Sequence, residues 1–140
     1  MLIEAANASI SELGGAIALA NAMGPGVVSM SFGAAEGSWT PGQDSLFGAT
    51  GMSYLASTGD NGSQVNWPSV SAKVLAVGGT TLTWSGSGTR SETAWSGTGG
   101  GLSSVTPQPA YQAALTIAGQ GSTKMRGLAD VSFNADPYTG

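Results

Sequence analysis

Apolar residues in the first part of the chain fall into one helical stretch followed by one short run. In residues 10–23, Leu13, Ile17 and Ala20 recur at a spacing of three or four, which predicts a helix that ends before a Gly-Pro-Gly sequence. Residues 27–32 then form a short apolar run of the kind that buried parallel strands use. A helix followed by a buried strand predicts an α/β unit.

Further apolar runs extend this pattern along the chain. Residues 52–57 and 73–80 predict two more buried strands, and residues 129–137 predict a last strand that leads into a turn. Residues 44–50 and 107–112 predict short helices. The first three runs each end in a polar, Gly-containing loop, which predicts an open parallel sheet whose loops lie along its carboxyl edge, where ligands bind in such folds.

The stretch over residues 84–101 has a different character, and we expect it to be an excursion on the surface. Its end, Gly99-Gly100-Gly101, has the composition of a phosphate-binding loop. However, no Walker lysine follows it and no helical pattern begins there, so the sequence argues against nucleotide binding.

Composition narrows the range of partners. The chain has 140 residues, which suits one domain or a part of one, and 41% of them are hydrophobic while 9% are charged. With four cations and a net charge of -4, it offers little to neutralise phosphates, so we expect neither nucleic acid nor a membrane surface as a partner. No window reads as a membrane span or an export signal, whereas an acidic, hydroxyl-rich surface suits a secreted protein that works at low pH.

The chain contains no Cys and no His. Their absence excludes disulfides, thiolate or imidazole metal ligands, thiol nucleophiles and any serine mechanism in which imidazole is the base. Carboxylates are the only general bases left near neutral or acid pH.

One carboxylate stands out in the loop after the second apolar run. Asp60 lies between Gly59 and Gly62, and glycines let a chain turn tightly enough for a carboxyl group to approach a substrate backbone. If it were buried away from counter-charges it would keep its proton, and it could then donate a hydrogen bond to a developing oxyanion. The alternative interpretation is that Asp60-Asn61-Gly62 is an ordinary turn.

Six segments of the chain are informative as a set, although each is weakly specific alone. They are residues 27–36 (VVSMSFGAAE), 56–62 (ASTGDNG), 65–69 (VNWPS), 74–80 (VLAVGGT), 99–103 (GGGLS) and 126–137 (RGLADVSFNADP). In this order, and over nearly the whole chain, they resemble the sedolisin family of serine-carboxyl peptidases, and the six together in register are strong. The resemblance implies a subtilisin-like α/β fold, a parallel sheet with flanking helices. It also implies cleavage of peptide bonds at acid pH by a Ser nucleophile, a Glu base oriented by an Asp, and a second Asp in the oxyanion hole.

The resemblance assigns roles to particular residues. Asp60 falls where the family keeps its oxyanion-hole Asp. A second set matches the strand whose backbone pairs with an extended substrate, and Phe32 stands there where many relatives have Trp. A third set resembles the loop beside the primary specificity pocket, and turns of this kind can contain a cis peptide bond, here before Pro68. The two sets of substrate-binding residues are Ser29, Met30, Ser31, Phe32 and Gly33, and Asn66, Trp67 and Pro68.

Other elements of the family pattern are missing. The family's Glu/Asp pair would lie upstream of residues 2–6, its Gly-Thr-Ser nucleophile would lie downstream of residue 140, and Glu4 fits a structural carboxylate better than a base. The calcium site implied for the full-length family is also missing, so we expect no metal or other cofactor in this chain. Residues 1–140 are therefore interpreted as the central part of one catalytic domain, with a sheet incomplete at both ends. Such a chain should be inactive alone, within a secreted endopeptidase that takes peptide or protein substrates.

Several other residues have plainer explanations. We expect Glu36 and Glu92 to cap or bridge loops, and Asp130 and Asp136 to fix turns around the last strand. The tryptophans at 39, 84 and 95 are expected to pack or to line the rim of the cleft. Two rival functions remain open, a non-catalytic pseudoenzyme or peptide-binding module of the same fold and, more remotely, a carbohydrate-binding domain, which would show β-sandwich spacing.

Overall fold

The predicted N-terminal helix is present as α1, Ile10–Ala22, in a computed structural model that describes residues 1–139. The Ser9 hydroxyl caps its start by accepting the backbone N–H of Glu12 at 3.3 Å. The helix ends where Gly24 takes a left-handed backbone conformation with φ of 95°. Its inner face buries Ile17 and Ala20 against the sheet and leaves the opposite face in solvent.

Four parallel strands form the central sheet, as the apolar runs predicted. The order of these strands is β1 (Gly26–Met30), β3 (Met52–Ser57), β5 (Leu75–Thr83) and β9 (Val131–Asn134). Every neighbouring pair is parallel. The carboxyl ends of these strands therefore meet at one edge of the sheet. The strands of the described chain are β1 (Gly26–Met30), β2 (Ala34–Ala35), β3 (Met52–Ser57), β4 (Asn66–Trp67), β5 (Leu75–Thr83), β6 (Ser91–Ala94), β7 (Gly101–Pro107), β8 (Met125–Leu128) and β9 (Val131–Asn134).

The prediction that residues 84–101 are only a surface excursion is wrong in part. β6 lies within them and pairs antiparallel with the second half of β5. All four residues of β6 are exposed, so it carries no apolar alternation that could have announced a strand. The β7–β8 antiparallel pair was also missed, because β7 is rich in Ser and Thr and its register shifts between Leu102 and Pro107.

The two short helices are 3-10 helices, at Thr40–Phe47 and Ala110–Gln112. The first begins four residues earlier than predicted, because Pro41 occupies the start of the helix, where its missing N–H has no cost. The strand predicted over residues 27–32 ends two residues earlier than expected, since β1 ends at Met30. The residues after it turn away from the sheet.

The core lies between the sheet, α1 and the first 3-10 helix. Its centre is the fully buried indole of Trp67, whose ring centroid lies 5.9 to 6.1 Å from those of Phe32, Trp39 and Phe47. Aromatic pairs at such distances contribute about 0.5–1.5 kcal/mol each beyond the area they bury. The core thus reaches directly beneath the carboxyl edge of β1. The buried members of the cluster are Ile17, Met30, Phe47, Tyr54, Ala56, Trp67, Val70 and Val74.

Candidate active-site cleft

Two adjoining clefts open at the carboxyl edge of the sheet, and Asp60 lines both. The larger, about 430 Å³, lies between residues 31–35 and the loop that follows β3. The smaller, about 180 Å³, lies between that loop, the middle of β5 and the end of β9. Asp60 is the only charged residue in the lining of either cleft among the described residues. Any ligand in them meets one carboxyl group.

The turn that presents Asp60 needs its glycines. Gly59 and Gly62 have φ of 104° and 72°, in the left-handed region that residues with a Cβ rarely adopt. Between them the chain reverses and directs Asp60 outward from the end of β3. This part of the sequence interpretation agrees with the structure.

Asp60 is not buried away from solvent. Its side chain is exposed, and within residues 1–139 it takes part in no hydrogen bond or ion pair. The loop has no apolar residue to cover the carboxyl group, because Gly59, Asn61 and Gly62 flank it. Asp60 is therefore free to contact a ligand.

The backbone that carries Asp60 is held much more firmly than the side chain. The Thr58 N–H donates to Val77 on β5 at 2.9 Å, and the Thr58 carbonyl accepts the Asn66 amide at 3.0 Å. The next carbonyl, that of Gly59, accepts the Gly99 N–H at 2.7 Å. Asp60 is thus an unpaired carboxyl group on a fixed backbone.

The predicted substrate strand divides at the end of β1. Ser29 is exposed on β1 and Met30 is buried in the core, and neither residue lines the larger cleft. Ser31, Phe32 and Gly33 follow the last paired residue of β1 and form one wall of the larger cleft. An extended peptide could lie against this segment, so its role in substrate binding stays a prediction.

The second predicted set divides in a similar way. Asn66 lines the larger cleft beside Gly33, but Trp67 and Pro68 are buried and do not reach it. Their side chains belong to the core because Trp67 fills the space between Phe32 and the first 3-10 helix. The peptide bond between Trp67 and Pro68 is cis. The role of these two residues in substrate binding stays a prediction.

Glu36 bridges two loops, as expected. Its carboxylate accepts the Ser103 hydroxyl at 2.6 Å and both the N–H and the hydroxyl of Ser104, at 2.7 and 3.0 Å. The backbone N–H of Glu36 donates to Val65. This carboxylate therefore ties β7 to the wall of the larger cleft.

Asp130 has a larger role than fixing a turn. It forms an ion pair with the fully buried Arg126 at 2.7 Å and accepts the Ala76 N–H at 2.8 Å, which joins β8 and β9 to β5. Asp136 does hold a turn, by accepting the N–H of Tyr138 and the hydroxyl of Thr81. Glu92 accepts from Thr80 and Arg90 at the surface.

The described residues offer no set of metal ligands. Within residues 1–139 there is no group of three or more His, Cys, Asp or Glu side chains that could hold an ion. The expectation that this chain holds no metal stays a prediction.

Sequence reasoning missed the residues that hold the Asp60 loop from behind. Thr98 and Gly99 pack directly on Thr58. In the sequence, the three glycines that begin at Gly99 served only as an argument against nucleotide binding. The available signal was that an uninterrupted glycine run after a Trp-Ser-Gly-Thr sequence marks a close approach of two backbones.

Comparison with known proteins assigns the family. The chain is 36% identical over 141 residues to kumamolisin of Bacillus sp. (strain MN-32), with 83% of this chain aligned. It is 33% identical over 117 residues to sedolisin of Pseudomonas sp. (strain 101), with 66% of this chain aligned. The chain belongs to the sedolisin family. It spans 26% of the length of kumamolisin and 19% of that of sedolisin.

A solved sedolisin structure agrees with this assignment. The structure of Pseudomonas sedolisin, a serine-carboxyl proteinase, complexed with two molecules of pseudo-iodotyrostatin, superposes with a TM-score of 0.76 and 28% sequence identity. The match covers 95% of this chain and 44% of the solved one. The predicted sedolisin-like and subtilisin-like α/β fold is therefore confirmed. No protein-family model matches the chain.

The search for membrane spans gave a negative result. Among the residues that the structure describes, no helix has both the length and the apolar character needed to cross a bilayer.

Proposed function

We propose that this chain forms the central part of the active-site cleft of a serine-carboxyl endopeptidase, and that Asp60 is its oxyanion-hole carboxyl group. Sedolisin-family relatives support peptidase activity at the level of the family. The observation that carries the residue assignment is the exposed, unpaired carboxyl group of Asp60 on a fixed backbone between two clefts. A purely structural Asp in a turn would be expected to hydrogen-bond to its own loop.

The proposed chemistry begins with a peptide that lies extended along Ser31, Phe32 and Gly33. The side chain of the substrate residue before the scissile bond enters the larger cleft beside Asn66. The backbone carbonyl oxygen of that residue approaches Asp60. As a serine hydroxyl adds to the carbonyl carbon, its proton passes to a carboxylate base and negative charge develops on the carbonyl oxygen. The protonated carboxyl group of Asp60 donates a hydrogen bond to that oxygen, which stabilises the transition state.

Asp60 can fill this role only while it carries its proton. The resemblance to the family implies that the reaction runs at acid pH. We place the protein outside the cell on the strength of its acidic, charge-poor composition.

The nucleophile and the base of this proposal are not among residues 1–140, so the test begins with the encoding transcript. The longest protein that its reading frame encodes would be purified and assayed with an internally quenched peptide between pH 3 and 8. We expect an acidic Glu/Asp pair upstream, a Gly-Thr-Ser sequence downstream, and hydrolysis at acid pH. A reading frame that supplies neither, or a complete protein that cleaves no peptide, would contradict the proposal and favour the peptide-binding alternative.

A matched control separates this chain from a contaminating protease. The same assay on the 140-residue chain alone is expected to show no hydrolysis, because oxyanion stabilisation without a nucleophile provides no covalent pathway. Hydrolysis that co-purifies with the isolated chain through two independent columns would overturn the proposed division of roles.

A further inference from the structure

A glycine-rich segment lies against the back of the Asp60 loop and is bonded to it on both sides of Asp60. We define residues 97–101 as the glycine strap. The Gly99 N–H donates to the Gly59 carbonyl at 2.7 Å, before Asp60, and the Gly62 N–H donates to the Gly97 carbonyl at 2.9 Å, after it. A third bond runs from the Gly100 N–H to the Gln64 carbonyl at 3.0 Å. The strap therefore brackets the residue proposed to do the chemistry.

The contact between the strap and the loop leaves no room for a side chain. A Cβ built on Gly99 would lie 1.9 Å from the Thr58 carbonyl oxygen and 2.5 Å from the Thr58 carbonyl carbon. Both are backbone atoms, so no rotamer change can relieve the overlap. The Thr58 carbonyl is also fixed from another direction by the Asn66 amide at 3.0 Å. Any residue larger than glycine at position 99 must therefore displace either the strap or the Asp60 loop.

The strap is in turn fixed to the sheet. The Thr98 hydroxyl oxygen accepts the Gly79 N–H of β5 at 2.7 Å, and the Trp95 N–H donates to the Gly79 carbonyl at 3.1 Å. The Thr98 and Thr58 hydroxyls lie 3.4 Å apart. Thr98 and Gly99 therefore connect the backbone around Asp60 to β5 of the central sheet.

We propose that the glycine strap is the element that positions Asp60 for catalysis, with Gly99 as the positioning residue and Thr98 as its anchor. This inference rests on the proposed oxyanion role of Asp60. Since the Asp60 carboxyl group takes part in no hydrogen bond within the described chain, its location depends on its backbone, and the strap sets that backbone. Oxyanion stabilisation depends on donor placement to a few tenths of an ångström, so a displaced loop should weaken catalysis with little effect on substrate binding.

The first test is Gly99→Ala in the complete protein encoded by the reading frame. A displacement of about 1 Å can cost on the order of 100-fold in rate, so we expect kcat to fall by about 10- to 100-fold while KM stays within about twofold. Gly121→Ala is the matched control, because a Cβ there meets no atom within 4 Å. A folded Gly99→Ala protein with the kcat of the wild type would overturn the inference.

A milder pair of variants covers the case in which Gly99→Ala fails to fold. Thr98→Val removes the acceptor of the Gly79 N–H while keeping the shape of the side chain, whereas Thr98→Ser keeps the hydroxyl. We expect Thr98→Val to lower kcat and Thr98→Ser to stay near the wild type. Equal kcat values for Thr98→Val and wild type would contradict the anchor role.

Hydrogen exchange supplies a readout that does not depend on activity. We expect faster amide exchange over residues 59–64 in Gly99→Ala and Thr98→Val than in Gly121→Ala, with α1 unchanged. Unchanged exchange over residues 59–64 would overturn the inference. Asp60→Asn separates the two proposals: a large loss of kcat in Asp60→Asn beside none in Gly99→Ala refutes the strap alone, whereas no loss in Asp60→Asn refutes the oxyanion role on which it rests.

Discussion

The side-chain amide of Asn66 donates a hydrogen bond to the backbone carbonyl of Thr58 at 3.0 Å, two residues before Asp60. Asn66 belongs to β4, which pairs with β2 to form a wall of the larger cleft. A Cβ on Gly59 would lie 2.8 Å from the same amide nitrogen, so the two segments are in close contact. One side chain therefore joins the cleft wall to the loop that carries Asp60.

Asn66→Asp should loosen that connection, because Asp has the same shape but offers no amide donor to the Thr58 carbonyl. Leaving a buried acceptor without its donor costs about 1–3 kcal/mol, so the free energy of unfolding should fall by about that much and the urea midpoint should fall with it. Asn7→Asp is the control, since Asn7 is exposed and only its Oδ1, which Asp retains, accepts the Ser9 N–H. Equal midpoints for the two variants would show that the Asn66 amide does not hold the loop.

The parallel sheet and the position of Asp60 were predictable because both depend on local signals. The apolar runs mark the positions of β1, β3 and β5, and Gly59 and Gly62 mark a turn with left-handed residues. The prediction that the first run is buried is wrong, because β1 is an edge strand in which Met30 alone is buried. Their order along the chain then places the loops after β1 and β3 on one edge. The family resemblance added the chemical role of Asp60, which spacing alone did not.

The buried pair of Arg126 and Asp130 should matter more for stability than any other ion pair of the described chain. Arg126 is fully buried and donates to both Asp130 oxygens, at 2.7 and 3.1 Å, and to the carbonyls of Ser69 and Val74. Removing one partner leaves the other uncompensated, so Arg126→Met should cost about 3–5 kcal/mol in the free energy of unfolding. Urea unfolding of the variant and the wild type would measure this loss, provided that the two proteins have the same m-value.

Arg90→Gln is the matched control for Arg126→Met. Arg90 and Glu92 form an exposed pair, which solvent and salt screen, so the unfolding midpoint should not shift measurably. A loss of stability in Arg90→Gln as large as that in Arg126→Met would contradict the argument from burial.

Two adjacent glycines of α1 should respond differently to alanine. Gly15 is exposed and an added Cβ there meets no atom within 4 Å, so Gly15→Ala should raise the free energy of unfolding by about 0.5–1 kcal/mol through helix propensity. Gly14 is buried, and a Cβ there would meet Leu46 Cδ1 at 3.4 Å. We expect Gly14→Ala to gain less than Gly15→Ala in thermal unfolding, and the reverse order would contradict the packing described for α1.

The fold should displace the titration of Glu92. Hydrogen bonds from Thr80 and Arg90 hold the pKa of Glu92 below its ordinary value. These hydrogen bonds therefore stabilise the folded chain fully above the pKa that Glu92 has in the unfolded chain. This stabilisation is lost as the pH falls through the lower pKa that Glu92 has in the folded chain. Thr80→Val and Arg90→Gln should each raise the pKa in a carboxyl-carbon NMR titration, and high salt should shrink the effect of Arg90. If neither variant changed the pKa of Glu92, the hydrogen bonds from Thr80 and Arg90 would not be the cause of its lowered value.

The exposure of Asp60 and the strap behind it could not be predicted, because both depend on contacts between residues far apart in the sequence. Gly99 meets Thr58 only after β6 has paired with β5, and β6 carries no pattern that identifies a strand. Trp67 was expected beside the cleft but fills the core, since a motif fixes neighbours in sequence and leaves the direction of each side chain to packing.

The most direct test of the account is the kcat of Asp60→Asn in the complete protein at acid pH, with Asp44→Asn, away from both clefts, as the control. An asparagine keeps the shape of Asp60 but replaces the protonated carboxyl donor with a weaker amide donor. The account predicts a loss of about 100- to 1,000-fold in kcat, which corresponds to about 2.7–4 kcal/mol of transition-state stabilisation, with KM and folding little changed. A kcat equal to that of Asp44→Asn would contradict the assignment of Asp60 to the oxyanion hole.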